Sequence, residues 1–202
     1  GTGASSLTIR NGRIQAVDQA PTPGPEPTLI DLEGRTVIPG FVDSHVHYTR
    51  AGVNPGYQER RVERAFSIAE LQETIARRAS SVPAGEFITC VGGWNHTQFT
   101  DARRPIRDEL DEVAPDHAVY IAGTGGGTGA IASSRGLTFL AANGVEVNQE
   151  TGVVSSARNA LAVLQAIQTP EDRLRGTEET NAFANSVGLT KVINSGNLAD
   201  QE

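Results

Sequence analysis

The stretch Val37-Ile38-Pro39-Gly40-Phe41-Val42-Asp43-Ser44-His45-Val46-His47 decides the reading of this chain. It is an apolar run, punctuated by Pro-Gly, that ends in His-x-His. Side chains alternate across a strand, so His45 and His47 are expected on the same side. Two imidazoles on one face at a strand end suit a single divalent ion. Two histidines two apart are common by chance; the Pro-Gly entry and the buried-type run before them give the pair its weight. The pattern predicts a buried strand over residues 37–47 with His45 and His47 as metal ligands. Asp43 shares their face, either as a hydrogen-bond acceptor behind them or as a structural residue at the strand start.

Working outward, the 202 residues suffice for one sizeable domain with a real core. The net charge is −7 and the pI is near 5.1, which argues against binding a phosphate backbone. The basic stretch Arg60-Arg61-Val62-Glu63-Arg64 is interleaved with acid and reads as a solvated helix face. No nucleic-acid partner is expected. The single cysteine, Cys90, lies in Phe87-Ile88-Thr89-Cys90-Val91 and reads as a buried structural thiol. No apolar span or leader pattern predicts a membrane association, so a cytoplasmic location is expected.

Residues 7–10 and 13–17 flank Asn11-Gly12 and predict a hairpin. Residues 19–28 form a Pro-rich connector. Strands are expected over 29–32 and 35–38 around a Glu33-Gly34 turn. Residues 50–64 read as a loop with a short helix. Ser67 and Glu70 form a capping box for a helix with the stripe Ile68, Leu71, Ile75 and Ala79, and Phe66 is placed to staple against Leu71. A strand is predicted over 86–91, a helix from Pro105 to Val113, a buried strand over 118–122 and a helix over 134–142. Helices over 156–168 and 170–187 follow, the second with Thr169 as N-cap and Gly188 past its end. Residues 189–193 read as a buried strand.

The His-x-His strand resembles the first barrel strand of the amidohydrolase superfamily. Glu86-Phe87-Ile88, Val91-Gly92-Gly93-Trp94, Arg104-Pro105-Ile106-Arg107-Asp108-Glu109-Leu110-Asp111 and Ala114-Pro115-Asp116 resemble its long-insertion branch, which includes N-substituted formamide deformylase-like hydrolases. Ala182-Phe183 and Gly188-Leu189-Thr190-Lys191-Val192-Ile193 resemble the barrel element that resumes after the insertion. The resemblance implies an α/β fold: a partial (β/α)8 barrel, part of a small β-sandwich domain and an α/β insertion. It divides the chain into residues 1–36 (β-sandwich part), 37–49 (first barrel strand), 50–168 (insertion) and 169–202 (resumed barrel helix and strand).

The same resemblance implies a metal-dependent hydrolase of carbon–nitrogen bonds, amide or formamide in type. His45 and His47 would hold a divalent ion, zinc being the expected one, with one or two ions in a complete enzyme. The family's remaining ligands, a bridging lysine or equivalent, two histidines and an aspartate, have no counterparts in this sequence, and Lys191 is too early to be the bridging residue. A whole barrel needs about 250 residues, so the expectation is a fragment or one part of a split hydrolase, joined by a complementary chain or by further copies of itself.

The rivals are a non-catalytic fragment and a nucleotide-binding module. The latter rests on the glycine-rich stretch Gly123 to Gly129 after the strand at 118–122, with Glu146 near the position of a ribose-binding acid. Its Gly-x-Gly-x-x-Gly spacing fails at Thr128 counted from Gly123, and at Ala130 counted from Gly125. Of the other histidines, His117 follows a Pro-Asp turn signature and is expected in solvent, and His96 reads as an ordinary loop residue. Trp94 reads as a packing anchor.

Overall fold

The computed structural model describes residues 3–19, 24, 26–123 and 129–195. The chain forms two units, Gly1–Pro39 and Gly40–Glu202.

In the first unit, β1 (Leu7–Arg10) and β2 (Arg13–Val17) pair antiparallel. Asn11 and Gly12 both take positive φ, 51° and 71°, as the tight primed turn between them requires. Glu33 and Gly34 repeat this geometry, and Arg35 N–H donates to Leu32 C=O. The turn is therefore where the sequence places it, but the strands expected at 29–32 and 35–38 are absent. Leu29 and Ile30 stand in solvent. A turn specifies chain reversal locally, whereas a strand needs a partner, and none of the described residues supplies one.

The second unit runs β3 (Phe41–Val46), α1 (Tyr48–Gly52), β4 (Tyr57–Gln58), a 3-10 turn at Arg61–Arg64, α2 (Ile68–Ala79), β5 (Phe87–Val91), α3 (Arg107–Val113), β6 (Ala118–Ala122), β7 (Ala130–Ala132), α4 (Ser134–Ala142), β8 (Val153–Val154), α5 (Ala157–Ala166), α6 (Pro170–Ser186) and β9 (Leu189–Asn194). The protein is thus mixed α/β with parallel strand pairs.

Five strands form one sheet in the order β4-β5-β6-β7-β8, parallel from β4 to β6 and antiparallel from β6 to β8. Period-two alternation sorts β6 onto two cores. Val119 and Ile121 pack with Leu71 and Ile75 of α2 and Leu110 of α3. Tyr120 and Ala122 pack with Leu137 and Leu140 of α4 and Leu164 of α5. A strand buried on both faces reads as a continuous apolar run, which is why Ala118-Val119-Tyr120-Ile121-Ala122 was legible. Burial also pushes the Tyr120 hydroxyl above its ordinary pKa, and that hydroxyl donates to Ala157 C=O.

Helix α2 follows its capping signature. Ser67 Oγ accepts from Glu70 N–H, and Glu70 reaches back to Phe66 N–H. Of the two residues placed as a staple, Leu71 is fully buried and Phe66 is more than half exposed. Asp101 caps the same helix from outside by accepting from Ile68 N–H.

Helix α3 is tied at its start by Glu109, which accepts from Ile106 N–H and receives both guanidinium nitrogens of Arg103, at 2.6 and 3.1 Å. These bonds, the Arg103 pair first, hold the Glu109 carboxyl below its ordinary pKa against partial burial. A depressed folded pKa gives stability that is full above the unfolded value, about 4.3, and lost as pH falls through the folded one. Glu109→Gln is expected to remove part of the acid-induced loss. Urea midpoints at pH 7 and pH 3 measure this, and an unchanged difference between the two would refute it.

Strands β7 and β8 were not anticipated. Strand β7 returns antiparallel to β6, so the glycine-rich stretch precedes a strand and not a helix. The phosphate cradle needs the glycine turn to open directly into a helix N-terminus, and α4 begins only after β7. That layout is corrected; residues 124–128 themselves lie outside the described residues. Ser133 starts α4 and also accepts from Val119 N–H at 2.8 Å, continuing the β6–β7 ladder through a side chain.

Strands β3 and β9 form a separate parallel pair, with Phe41 opposite Leu189, Asp43 opposite Val192 and Val46 opposite Asn194. The expected buried strand over 37–47 is shorter, and Phe41 and Val42 are more than half exposed. Residues 189–193, also read as buried, are largely exposed in β9. Among the described residues this pair has no sheet neighbour on either side, so its apolar side chains meet solvent.

Candidate metal centre

His45 lies on β3 and His47 is the residue that starts α1. Strand alternation therefore ends one residue before His47, and the turn into the helix sets its direction. The two rings still meet. Their centroids are 5.9 Å apart with planes at 83°. Both side chains are exposed, at the carboxyl end of the parallel β3–β9 pair.

This separation can be tested against an ion. Two imidazoles bound through nitrogen at tetrahedral angles to one zinc would have centroids about 5.2 Å apart. The observed spacing is within a small side-chain rotation of that value. The pair therefore stands near the spacing that two ligands of one ion would take. Among the described residues no group of three His, Cys, Asp or Glu side chains converges on a common point. A catalytic ion takes about three protein ligands, more than the two histidines brought together here.

The Asp43 carboxylate accepts from the backbone N–H of His45 at 3.0 Å and fixes the chain just before the pair. Lys191 pairs with Val42, back from the strand end that carries the histidines.

The other candidates lie elsewhere. Cys90 is buried in the sheet, and desolvation raises its thiol pKa, as expected of a structural residue. Trp94 is buried and stacks on Phe99, with centroids 5.6 Å apart. His96 starts a 3-10 turn, His96–Gln98, and is half-buried. His117 is the clear correction. It is 6% exposed, and its Nδ1 has no hydrogen-bond partner among the described residues. A turn signature fixes backbone conformation without saying which side of the turn is covered.

The basic stretch at 60–64 is also more than a solvated face. Val62 is buried, and the half-buried Arg60 guanidinium donates to Ala51 C=O at 2.9 Å and to the Thr180 hydroxyl. Burial lowers the Arg60 pKa, and Glu179 opposes that shift. Arg78 pairs with Glu179 at 2.7 Å, and Arg175 lies 3.8 Å above the Tyr57 ring. These contacts tie β4 and α2 to α6. The Arg60–Thr180 contact had no signal in the sequence, because it joins stretches 120 residues apart.

Among the described residues no helix is long and apolar enough to cross a membrane. No solved structure matches the chain. Three curated relatives are similar over part of it. N-substituted formamide deformylase of Arthrobacter pascens is 28% identical over 122 residues, 58% of this chain and 22% of the relative. Protein LONG AFTER FAR-RED 3 of Arabidopsis thaliana is 31% identical over 123 residues, 58% of this chain and 20% of the relative. Imidazolonepropionase of Klebsiella pneumoniae is 42% identical over 57 residues, 28% of this chain and 14% of the relative. The chain thus matches about a fifth of the length of the first two. The model of the amidohydrolase family matches residues 28–198, which include the His-x-His strand, the five-stranded sheet and the β9 strand. The chain belongs to the amidohydrolase family.

Proposed function

We propose that this chain supplies the amino-terminal part of a metal-dependent hydrolase acting on carbon–nitrogen bonds, with a small amide or formamide as substrate. The observation that carries the reading is the His45–His47 pair, at a separation one ion can bridge, in a chain of this family. The relative named as a formamide deformylase supports the substrate class.

In this reading β3 and β9 are neighbouring strands of a (β/α)8 barrel, α6 is the helix before β9, and the five-stranded sheet is an insertion between them. The β1–β2 hairpin belongs to a small β domain. Ligands of parallel α/β folds bind at the carboxyl ends of strands, where His45 and His47 stand. His45 and His47 hold the ion, zinc first, and Asp43 holds the His45 backbone in place. Held there, a divalent ion would supply a bound water of pKa lowered toward about 7 and a Lewis acid for a carbonyl. The remaining donors come from outside the described residues, in the same polypeptide, a complementary chain or a further copy. A cytoplasmic setting completes the reading, and the lone buried thiol of Cys90 suits it.

The test is metal retention. After zinc loading and dialysis, native mass spectrometry should find bound ion, alone or with a complementary chain. His47→Ala should lower the zinc affinity by about tenfold or more, at least the cost of losing an outer partner of a ligand. Zinc retained equally by wild type and His47→Ala would remove His47 from the site. No ion in any assembly would favour the non-catalytic reading, which the absence of a third convergent ligand among the described residues also supports.

A further inference from the structure

Helix α1 has five residues, well below the length at which a helix holds itself together in water. Its N-cap is His47, and the His47 side chain makes no capping bond. Good N-caps are Ser, Thr, Asp or Asn, whose side-chain oxygen accepts from an N–H of the first turn. A histidine doing so would commit a ring nitrogen. Here the capping oxygen comes from another strand: Asn194 Oδ1 accepts from Thr49 N–H at 3.1 Å. Asn194 sits opposite Val46 in the β3–β9 register, which brings its side chain to the start of α1.

The other end of α1 is held from outside as well. Arg60 donates to Ala51 C=O, a charged donor at the negative end of the helix dipole. Tyr48 donates to Asn181 Oδ1 at 2.7 Å, anchoring the first turn on α6. The His47 carbonyl accepts from Ala51 N–H at 2.9 Å. The His47 backbone is thus part of a helix whose two ends depend on Asn194 and Arg60.

We infer that Asn194 is a positioning residue for His47, with Arg60 bracing the far end of the same helix. Asn194 performs the capping that His47 would otherwise perform, and so leaves both imidazole nitrogens of His47 open to a metal ion. The inference rests on the reading of His45 and His47 as ligands. It also extends the site to residues that touch no ion.

Three proteins decide it: wild type, Asn194→Ala, and Ser133→Ala as a control that removes a cap and ladder acceptor on α4. Each is titrated with Zn²⁺ alone while the imidazole NMR signals of His45 and His47 are followed. Amide exchange at Thr49 and the thermal midpoint are recorded without metal. Loss of an N-cap is worth about fivefold in local opening. Asn194→Ala should therefore speed exchange at Thr49 and raise the Zn²⁺ Kd by about fivefold. Ser133→Ala should lower the midpoint and leave the Kd unchanged. An Asn194→Ala protein with a lowered midpoint but the wild-type Kd overturns the inference, because its role is then structural only. If wild type itself shows no response to Zn²⁺, the metal reading fails. Faster Thr49 exchange in that case identifies a cap without a ligand to position, which also overturns the inference.

Discussion

Replacing Gly176 by alanine is expected to destabilise the second unit by about 2 kcal/mol, despite placing a better helix former in α6. The added Cβ would overlap the Gly52 carbonyl oxygen, closer than carbon and oxygen can approach. The atom it meets is backbone, so no side chain can swing aside. Gly52 faces the same contact from the other helix, where a Cβ would meet Thr177 Oγ1 at 3.1 Å. The two glycines let α1 and α6 touch backbone to backbone. The gain in helix propensity is about 1 kcal/mol, and the overlap must exceed it for the expected loss to appear. Urea unfolding of the variant measures the balance. An equal or higher midpoint would mean that α1 can move away freely, and that the glycine pair does not set its position.

Replacing Ile121 by aspartate should abolish folding of the five-stranded sheet. Ile121 is fully buried at the centre of β6, between β5 and β7, and packs against α2 and α3. Losing the side chain alone costs about 2–5 kcal/mol by analogy with large-to-small substitutions. A carboxylate there would sit inside an apolar cluster, and burying it unpaired costs several kcal/mol more. The sum approaches or exceeds the whole stability of an ordinary domain, about 5–15 kcal/mol. Ile121→Val, which keeps shape and polarity, should cost only about 1 kcal/mol. Circular dichroism and amide dispersion compare the two. A folded Ile121→Asp protein would show that this face of β6 admits water.

What could be read in the sequence follows from the range of the forces involved. Helix α4 and strand β6 have the limits expected, because local signals bound them: the Ser133 cap, the Asn143-Gly144 stop with Gly144 at positive φ, and a short apolar run between polar turns. Strands β7 and β8, three and two residues long, are too short to show a period and exist through their partners. Gly152 marks their neighbourhood only in three dimensions, where a Cβ would press on Arg107. At the candidate centre the histidine pair was legible because its spacing is local. Asn194 was not, since it reaches α1 from a distant stretch of chain; Arg60 lies only nine residues from Ala51, but no periodic or turn signal marks that contact. The exposed β3 shows the converse: its apolar run announces burial, while what covers it is not written in the run itself.

The packing of Trp94 has a practical consequence. It is the chain's only tryptophan. It stacks on Phe99 inside the core between the sheet and helices α2 and α3. Intrinsic fluorescence excited at the indole band is therefore a single-site optical signal from that core. It should be blind to melting of the β1–β2 hairpin, which circular dichroism would register. A gap between the two melting curves would separate the unfolding of the two units without any added label.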